Sequence, residues 1–268
     1  MVRTVKVWIP LWLLVVTMHV MVGETWATPE AIQIMTDVRN RDQGQDRYAM
    51  LELVQTLPDG FVRERSLKMY EKEYGLERKS LLYFTAPSNT AGTALLMHSY
   101  AQADGKEDDQ WFYLPALRKV KRIATHSKEG PFVGTDFSFA DIERMRISDY
   151  RYVLKGEETL KGAKVYVIEA ATENGLENPR TGYSRRTVYV EPEKNLIMKD
   201  ELYRGNRLAK VFEVVSVERV SGYWTVTEAR MENLIDGGNT RLIRRNVSYN
   251  QALKDTLFSQ RTLRQGVR

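Results

Sequence analysis

Histidines and carboxylates are the side chains here that could run acid–base chemistry, and none stands at a spacing that would let it do so. His98 falls within the apolar run Ala94–Tyr100, and His126 sits at the end of another run. Either could act as a general base, but a base needs a nucleophile or an orienting acid within reach. No G-x-S-x-G, H-E-x-x-H, P-loop or G-x-G-x-x-G pattern surrounds them. Asp136 and Asp141 could form a carboxylate pair, yet Ser138-Phe139-Ala140-Asp141 reads as a capping box, which already employs Asp141. The chain has no cysteine and only 3 histidines. That excludes disulfides, thiolate nucleophiles, thiolate metal sites and iron–sulfur clusters, and it makes a histidine-rich metal centre unexpected. The expectation is a protein that is not an enzyme and holds no cofactor or metal.

The remaining polar chemistry is charge. Arg118-Lys119-Val120-Lys121-Arg122 and Arg185-Arg186 are the densest basic clusters. Arg118 and Arg122 are candidates to contact an acidic partner or an anionic lipid headgroup. The plainer alternative is a solvated strand whose cations discourage edge-to-edge pairing. Over all 268 residues, 40 Lys and Arg face 35 Asp and Glu, a net charge of +5 with both signs interspersed. A nucleic-acid binder concentrates its positive charge more than this, so no nucleic acid is expected as a partner.

Apolar patterning is the stronger signal. Leu81-Leu82-Tyr83-Phe84, Leu95-Leu96-Met97 and Trp111-Phe112-Tyr113-Leu114 are apolar at every position. Successive residues of a strand point to opposite faces, so both faces of these strands must be covered. One face could pack against helices while the other lines an enclosed hollow. Tyr83, Phe84, Leu96, Trp111 and Tyr113 are therefore candidates for its wall. Phe137 and Phe139 lie in a glycine-flanked aromatic stretch, Gly130–Phe139, and are candidates for a lid; equally, these rings could plug one end of the core.

The elements that must position these residues are mostly strands. Thr28-Pro29-Glu30 is a helix start, followed at helical spacing by Ala31, Ile34, Met35 and Val38, which predicts a short helix to about Arg41. From Tyr48 to Tyr249 the chain alternates β-branched and aromatic runs with turn signals such as Pro58-Asp59-Gly60, Arg204-Gly205-Asn206 and Asp236-Gly237-Gly238-Asn239. Connections this short join antiparallel neighbours. Near the C-terminus, Ile243, Val247 and Tyr249 are expected to share one face, leaving Leu242 alone on the other. Thr125–Tyr150 departs from the pattern, and a helix is predicted to begin at Ser138. Leu253–Leu263 is expected to cap an end of the sheet. The fold class is α+β, mainly antiparallel β, in one domain spanning residues 28–268.

Residues 1–27 have the layout of a secretory signal peptide. Arg3 and Lys6 precede an apolar run from Val7 to Val22, and small residues precede a cut after Ala27. The clean apolar run, roughly 16 residues, is short of the ~20 that a spanning helix requires. Export without cysteine suits a bacterial periplasm, and a mature chain without one is not itself acylated there.

These residues also resemble a known family. Gln110-Trp111-Phe112-Tyr113-Leu114-Pro115 is similar to the aromatic strand end of periplasmic LolA-type carriers. Followed by Leu117–Ile123 and by Phe132–Ile142, it resembles the branch of LolA-like, outer-membrane lipoprotein-sorting proteins associated with RND-type (MMPL-like) exporters. The resemblance implies a curved, incomplete β-barrel with short helices as a lid. It further implies a carrier that holds a lipid, an acyl chain or a lipoprotein in an apolar cavity and moves it toward an outer-membrane acceptor. Carriers of this type tie the lid with an arginine from an early strand, and Arg63, Arg65 and Arg78 are each placed to do so. The alternative expectation is an envelope scaffold or adaptor docking an exporter complex, with its interior filled by its own side chains.

Overall fold

The computed structural model describes residues 28–267; the expected signal peptide lies outside them. Thr28 caps the first helix, α1 (Pro29–Arg39), its hydroxyl accepting from the Ala31 amide at 3.4 Å, with Glu30 in the first turn and Arg39 in the last. These charges oppose the helix dipole at both ends.

Thirteen strands follow. They are β1 (Asp46–Thr56), β2 (Val62–Tyr74), β3 (Glu77–Ala86), β4 (Ala94–Ser99), β5 (Asp109–Leu114), β6 (Lys119–Arg122), β7 (Arg151–Leu160), β8 (Ala163–Ala171), β9 (Arg185–Glu191), β10 (Leu196–Arg204), β11 (Arg207–Val220), β12 (Tyr223–Asn233) and β13 (Asn239–Tyr249). All belong to one antiparallel sheet in the order β6-β5-β4-β3-β2-β1-β13-β12-β11-β10-β9-β8-β7. Every pairing joins consecutive strands except that of β1 with β13. Two meanders thus meet at a central seam, and β6 and β7 are the two free edges.

The sheet is bent, open and not closed into a barrel. Residues from β1 to β4 and from β11 to β13 line a single cavity, which is possible only if the wings curl toward each other. The inner face holds α1 against β7, β8 and β9, where Ala31 and Met35 are buried beside Tyr152, Ile168 and Val188. The stretch from 123 to 150 connects the two edges and also packs on the inner face. The outer face of β3, β4 and β5 is covered by the C-terminal segment with its short helix α2 (Gln260–Gln265). That segment therefore lies on a sheet face, where an end cap was expected.

Three sequence expectations need correction. β7 was not among the expected strands; its Lys155, Glu157 and Glu158 mask the pattern, as suits a free edge. The helix predicted at Ser138 does not form. Both capping-box bonds are present, the Ser138 amide to Asp141 Oδ2 at 2.7 Å and the Asp141 amide to Ser138 Oγ at 3.1 Å. Directly beyond the box the chain closes only one short turn, the Glu143 amide donating to the Ala140 carbonyl at 3.2 Å, while the Phe139 and Ala140 amides tie it to Gly130 and Lys128. On β13 the inward residues are Leu242 and Arg244, because the register against β1 shifts between Tyr48 and Met50, opposite Asn246 at φ 50°. Beyond that bulge the parity reverses, and Val247 and Tyr249 turn inward as a group without Ile243.

Candidate functional site

The inner face of the first wing is built by strict alternation. Leu51 and Leu53 on β1 stand beside Leu67 and Met69 on β2, Leu82 and Phe84 on β3, and Leu95 and Met97 on β4. All are nearly or fully buried, yet they do not meet side chains that fill the whole space above them. A cavity of about 290 Å³ remains, with Leu51, Leu53, Leu67, Met69, Leu82, Met97 and Leu242 on its wall and Phe132, Phe137 and Ile142 above. A second space of about 180 Å³ lies beside it toward β10, and the two share Phe137, Asp141, Glu143 and Phe212 as a partition.

The cover over both is the 123–150 segment. Phe132 packs against Phe84 at 5.7 Å between ring centroids and against Phe139 at 5.5 Å, and Phe139 meets Phe112 at 5.6 Å. Phe137 reaches across to Phe212, Tyr183, Leu202 and Met231 of the second wing. Polar ties fix the backbone at both sides. Gln110 Nε2 donates to the Phe139 carbonyl at 2.9 Å; Lys210 Nζ donates to the Asp136 carbonyl at 2.7 Å; Thr240 Oγ1 donates to Asp136 Oδ2 at 2.6 Å. The Tyr183 hydroxyl donates to Asp141 Oδ1 at 3.1 Å.

At the centre of the cover Glu143 is fully enclosed between two cations, Lys128 Nζ at 2.6 Å and Arg180 Nη1 at 2.5 Å. Burial pushes the Glu143 carboxyl up, and Arg180 and Lys128 oppose that. Arg180 is also paired with Asp149. A buried charge whose partner is removed costs about 3–5 kcal/mol, so this group holds the cover in one arrangement. Val133 and Gly134 in the cover take left-handed conformations, φ 49° and 71°. A β-branched residue rarely adopts that conformation, so the turn at Val133 is held by its surroundings.

Electrostatics change at the open end of the larger cavity. Arg47 and Glu71 stand opposite each other on β1 and β2 and are ion-paired, with Arg47 Nε donating to Glu71 Oε2 at 3.0 Å. Arg78 pairs with Glu73. Arg41, on the loop after α1, and Arg244 on β13 complete the rim. Burial would raise the Glu71 carboxyl, but Arg47, Arg78 and Arg244 outweigh it and hold the group at about 2.

The sequence-predicted wall residues divide between the two faces. Phe137 lines the cavity, and Phe84 and Phe139 back its roof. Tyr83, Leu96, Trp111 and Tyr113 do not reach it: they lie on the outer face, packed with Phe258 and Leu263 of the C-terminal segment. Period-two alternation places them one residue out of phase with Phe84, Leu95 and Phe112. Arg118 and Arg122 do not line the cavity either. Arg118 is exposed between β5 and β6, and Arg122, on the short edge strand β6, pairs with Asp109. Of the three candidate ties for the lid, Arg65 is buried with its guanidinium beside Gly134 of the cover. Arg78 is held by Glu73, and Arg63 extends to the Phe61 ring at 6.0 Å. His98 lies on the outer face against the Trp111 ring at 5.0 Å, and burial lowers its basicity. His126 is exposed at the start of the cover.

Of the rim arginines, sequence reasoning singled out Arg78 alone, as a candidate lid tie, and it missed Arg41, Arg47 and Arg244 together with the leucines and methionines beneath them. Arg244 had a visible signal: it stands two residues from Leu242, a charge on the same strand face as a buried leucine.

An open, bent antiparallel sheet with a helix and a strap on its inner face is the architecture of LolA-like proteins. A family model described as an uncharacterized protein matches residues 76–265. A DUF1329 family protein from Desulfovibrio piger is 30% identical, with a TM-score of 0.82, covering 89% of this chain and 100% of the other. A protein from Vibrio parahaemolyticus described as an outer-membrane lipoprotein-sorting domain is 28% identical, with a TM-score of 0.80, over 88% of this chain and 99% of the other. A LolA superfamily protein from Nitrosomonas europaea shares the fold, with a TM-score of 0.66 at 20% identity, over 86% of this chain and 98% of the other. No curated protein matches the sequence. The chain belongs to the DUF1329 family and shares the fold of the LolA superfamily protein.

Proposed function

We propose that this protein is a non-enzymatic carrier that works in the bacterial periplasm. In this reading it shelters the apolar chain of a lipid, or of a lipoprotein anchor, in the inner cavity and passes it toward the outer membrane, receiving it from an RND-type exporter. The observation that carries the reading is the cavity itself: about 290 Å³ of space, aliphatic on its sheet side and charged at its rim, under a strap that is not part of the sheet. Transferring an acyl chain out of water recovers about 0.8 kcal/mol per methylene, so such a wall suits a guest that water rejects. The Vibrio relative, described as lipoprotein-sorting, supports the same assignment. Native mass spectrometry and lipid extraction of protein purified from its own periplasm test it. A co-purifying lipid in stoichiometric amount is expected; protein that is lipid-free when isolated and binds no alkyl probe would sink the carrier.

One observation favours a docking role. Leu117 is 63% exposed beside Arg118, Lys119 and Lys121 on the free edge. Cross-linking from Lys119 or Lys121 that captures an envelope protein, with no lipid present, would replace the carrier by an adaptor.

A further inference from the structure

Positive charge at the rim exceeds the carboxylates that face it. Glu71 is engaged by Arg47, and Glu73 by Arg78 and Arg144. Inside the cavity Glu143 is held by Lys128 and Arg180, and Asp141 accepts from Tyr183 and the Ser138 amide. Arg41 and Arg244 are left over. Among the described residues each donates to a single backbone carbonyl, Arg41 to Trp224 at 2.6 Å and Arg244 to Val226 at 2.9 Å, and neither forms an ion pair. The Nε of Arg244 is buried and donates to no acceptor among the described residues. Burial, then repulsion from Arg47, pulls both guanidinium groups down to about 10. Glu71 acts on both from beyond ion-pair distance and does not offset the penalty of their burial, and a negatively charged group held directly between them would remove that penalty.

We propose that the occupant of the cavity is an anionic amphiphile, its single apolar chain along Leu51, Leu67, Met69 and Leu242 and its carboxylate or phosphate held by Arg41 and Arg244. This rests on the carrier reading and specifies its cargo. The volume is at the lower end of small-molecule sites, which suits one chain and not the several of a fully acylated anchor.

Calorimetric titration of delipidated protein with laurate, dodecyl phosphate, dodecanol and inorganic phosphate tests the idea. Laurate or dodecyl phosphate should bind at least about tenfold tighter than dodecanol, as charge-assisted hydrogen bonds require. The tighter of the two identifies a fatty acid or a phospholipid as the source. Arg244→Met should bring the anions to the level of dodecanol, whereas Arg122→Met on the edge strand should change nothing. Arg41→Met provides a second variant if Arg244→Met does not fold, and the wild-type ranking is decisive without either. Equal binding of dodecanol and both anions would overturn the headgroup site and leave the apolar cavity standing. Inorganic phosphate binding as tightly as dodecyl phosphate would show that the chain contributes nothing and would overturn the amphiphile. Failure of every alkyl probe to bind would remove the carrier reading itself.

Discussion

Tyr83 and Phe84 are neighbours on β3 and face different neighbourhoods. Outward, Tyr83 joins Leu81, Leu96 and Trp111 beneath Phe258 and Leu263, and the chain's own C-terminal segment covers that surface. Inward, Phe84 joins Leu67, Leu82 and Leu95, and the strap above them stops short of filling the space. Both surfaces are equally oily. What separates a packed core from a binding site is the segment that covers it, and how closely that segment fits.

The largest effect that could break this contrast is on the outer face. Leu96→Ala removes a side chain that is 1% exposed, and should cost about 2–5 kcal/mol in urea denaturation. Affinity for a fluorescent fatty acid should stay within twofold. A parallel loss of binding would show that the two faces are energetically one.

Acidification separates them next. Glu71 on the inner face is held at about 2 by Arg47 and Arg78 against the effect of burial, below its ordinary value of about 4.3. A depressed native value means stability that is complete above about pH 4.3 and is lost as the pH falls toward 2. For this group the loss is on the order of 3 kcal/mol. Glu71→Gln should therefore be less stable than wild type at pH 7 and converge with it only as the pH falls through about 2. Urea midpoints that run parallel across that window would remove Glu71 as the linked group.

The smallest effect on folding belongs to the empty space. Leu242→Trp projects a larger ring into the cavity and should lower affinity for an alkyl probe more than about tenfold. Its destabilisation should be about 1–3 kcal/mol, the ordinary penalty of overpacking. Unchanged affinity would place the ligand elsewhere.

Much of the architecture was readable from residue order. Thr28-Pro29-Glu30 announced α1, and the turn chemistry at Pro58–Gly60, Gly205 and Gly237-Gly238 announced hairpins, because these signals are local. Which face of β3, β4 and β5 looks inward was not readable: a strand that is apolar at every position carries no phase. Trp111 and Tyr113 were drawn to the cavity for their size, yet they are covered by Phe258, about 145 residues further along the chain. β7 was hidden for the opposite reason, since an edge strand shows its charges. Leu242 looked like an isolated apolar residue because the bulge opposite Met50 divides β13 into two phases. That the rim arginines form one group was not readable because they come from the loop after α1, from β1, β3 and β13, and only the seam between the first and last strands gathers them.

The strap that roofs the hollow is anchored where β6 ends and where β7 begins, the two outermost strands of the sheet. It is strung like the cord of a bow whose limbs are the two wings. Tied along its length to Gln110 on one wing and to Lys210 and Thr240 on the other, such a cord cannot shift without moving both limbs. A change in the curvature of the sheet would therefore reach the roof of the hollow directly, although the two share no strand.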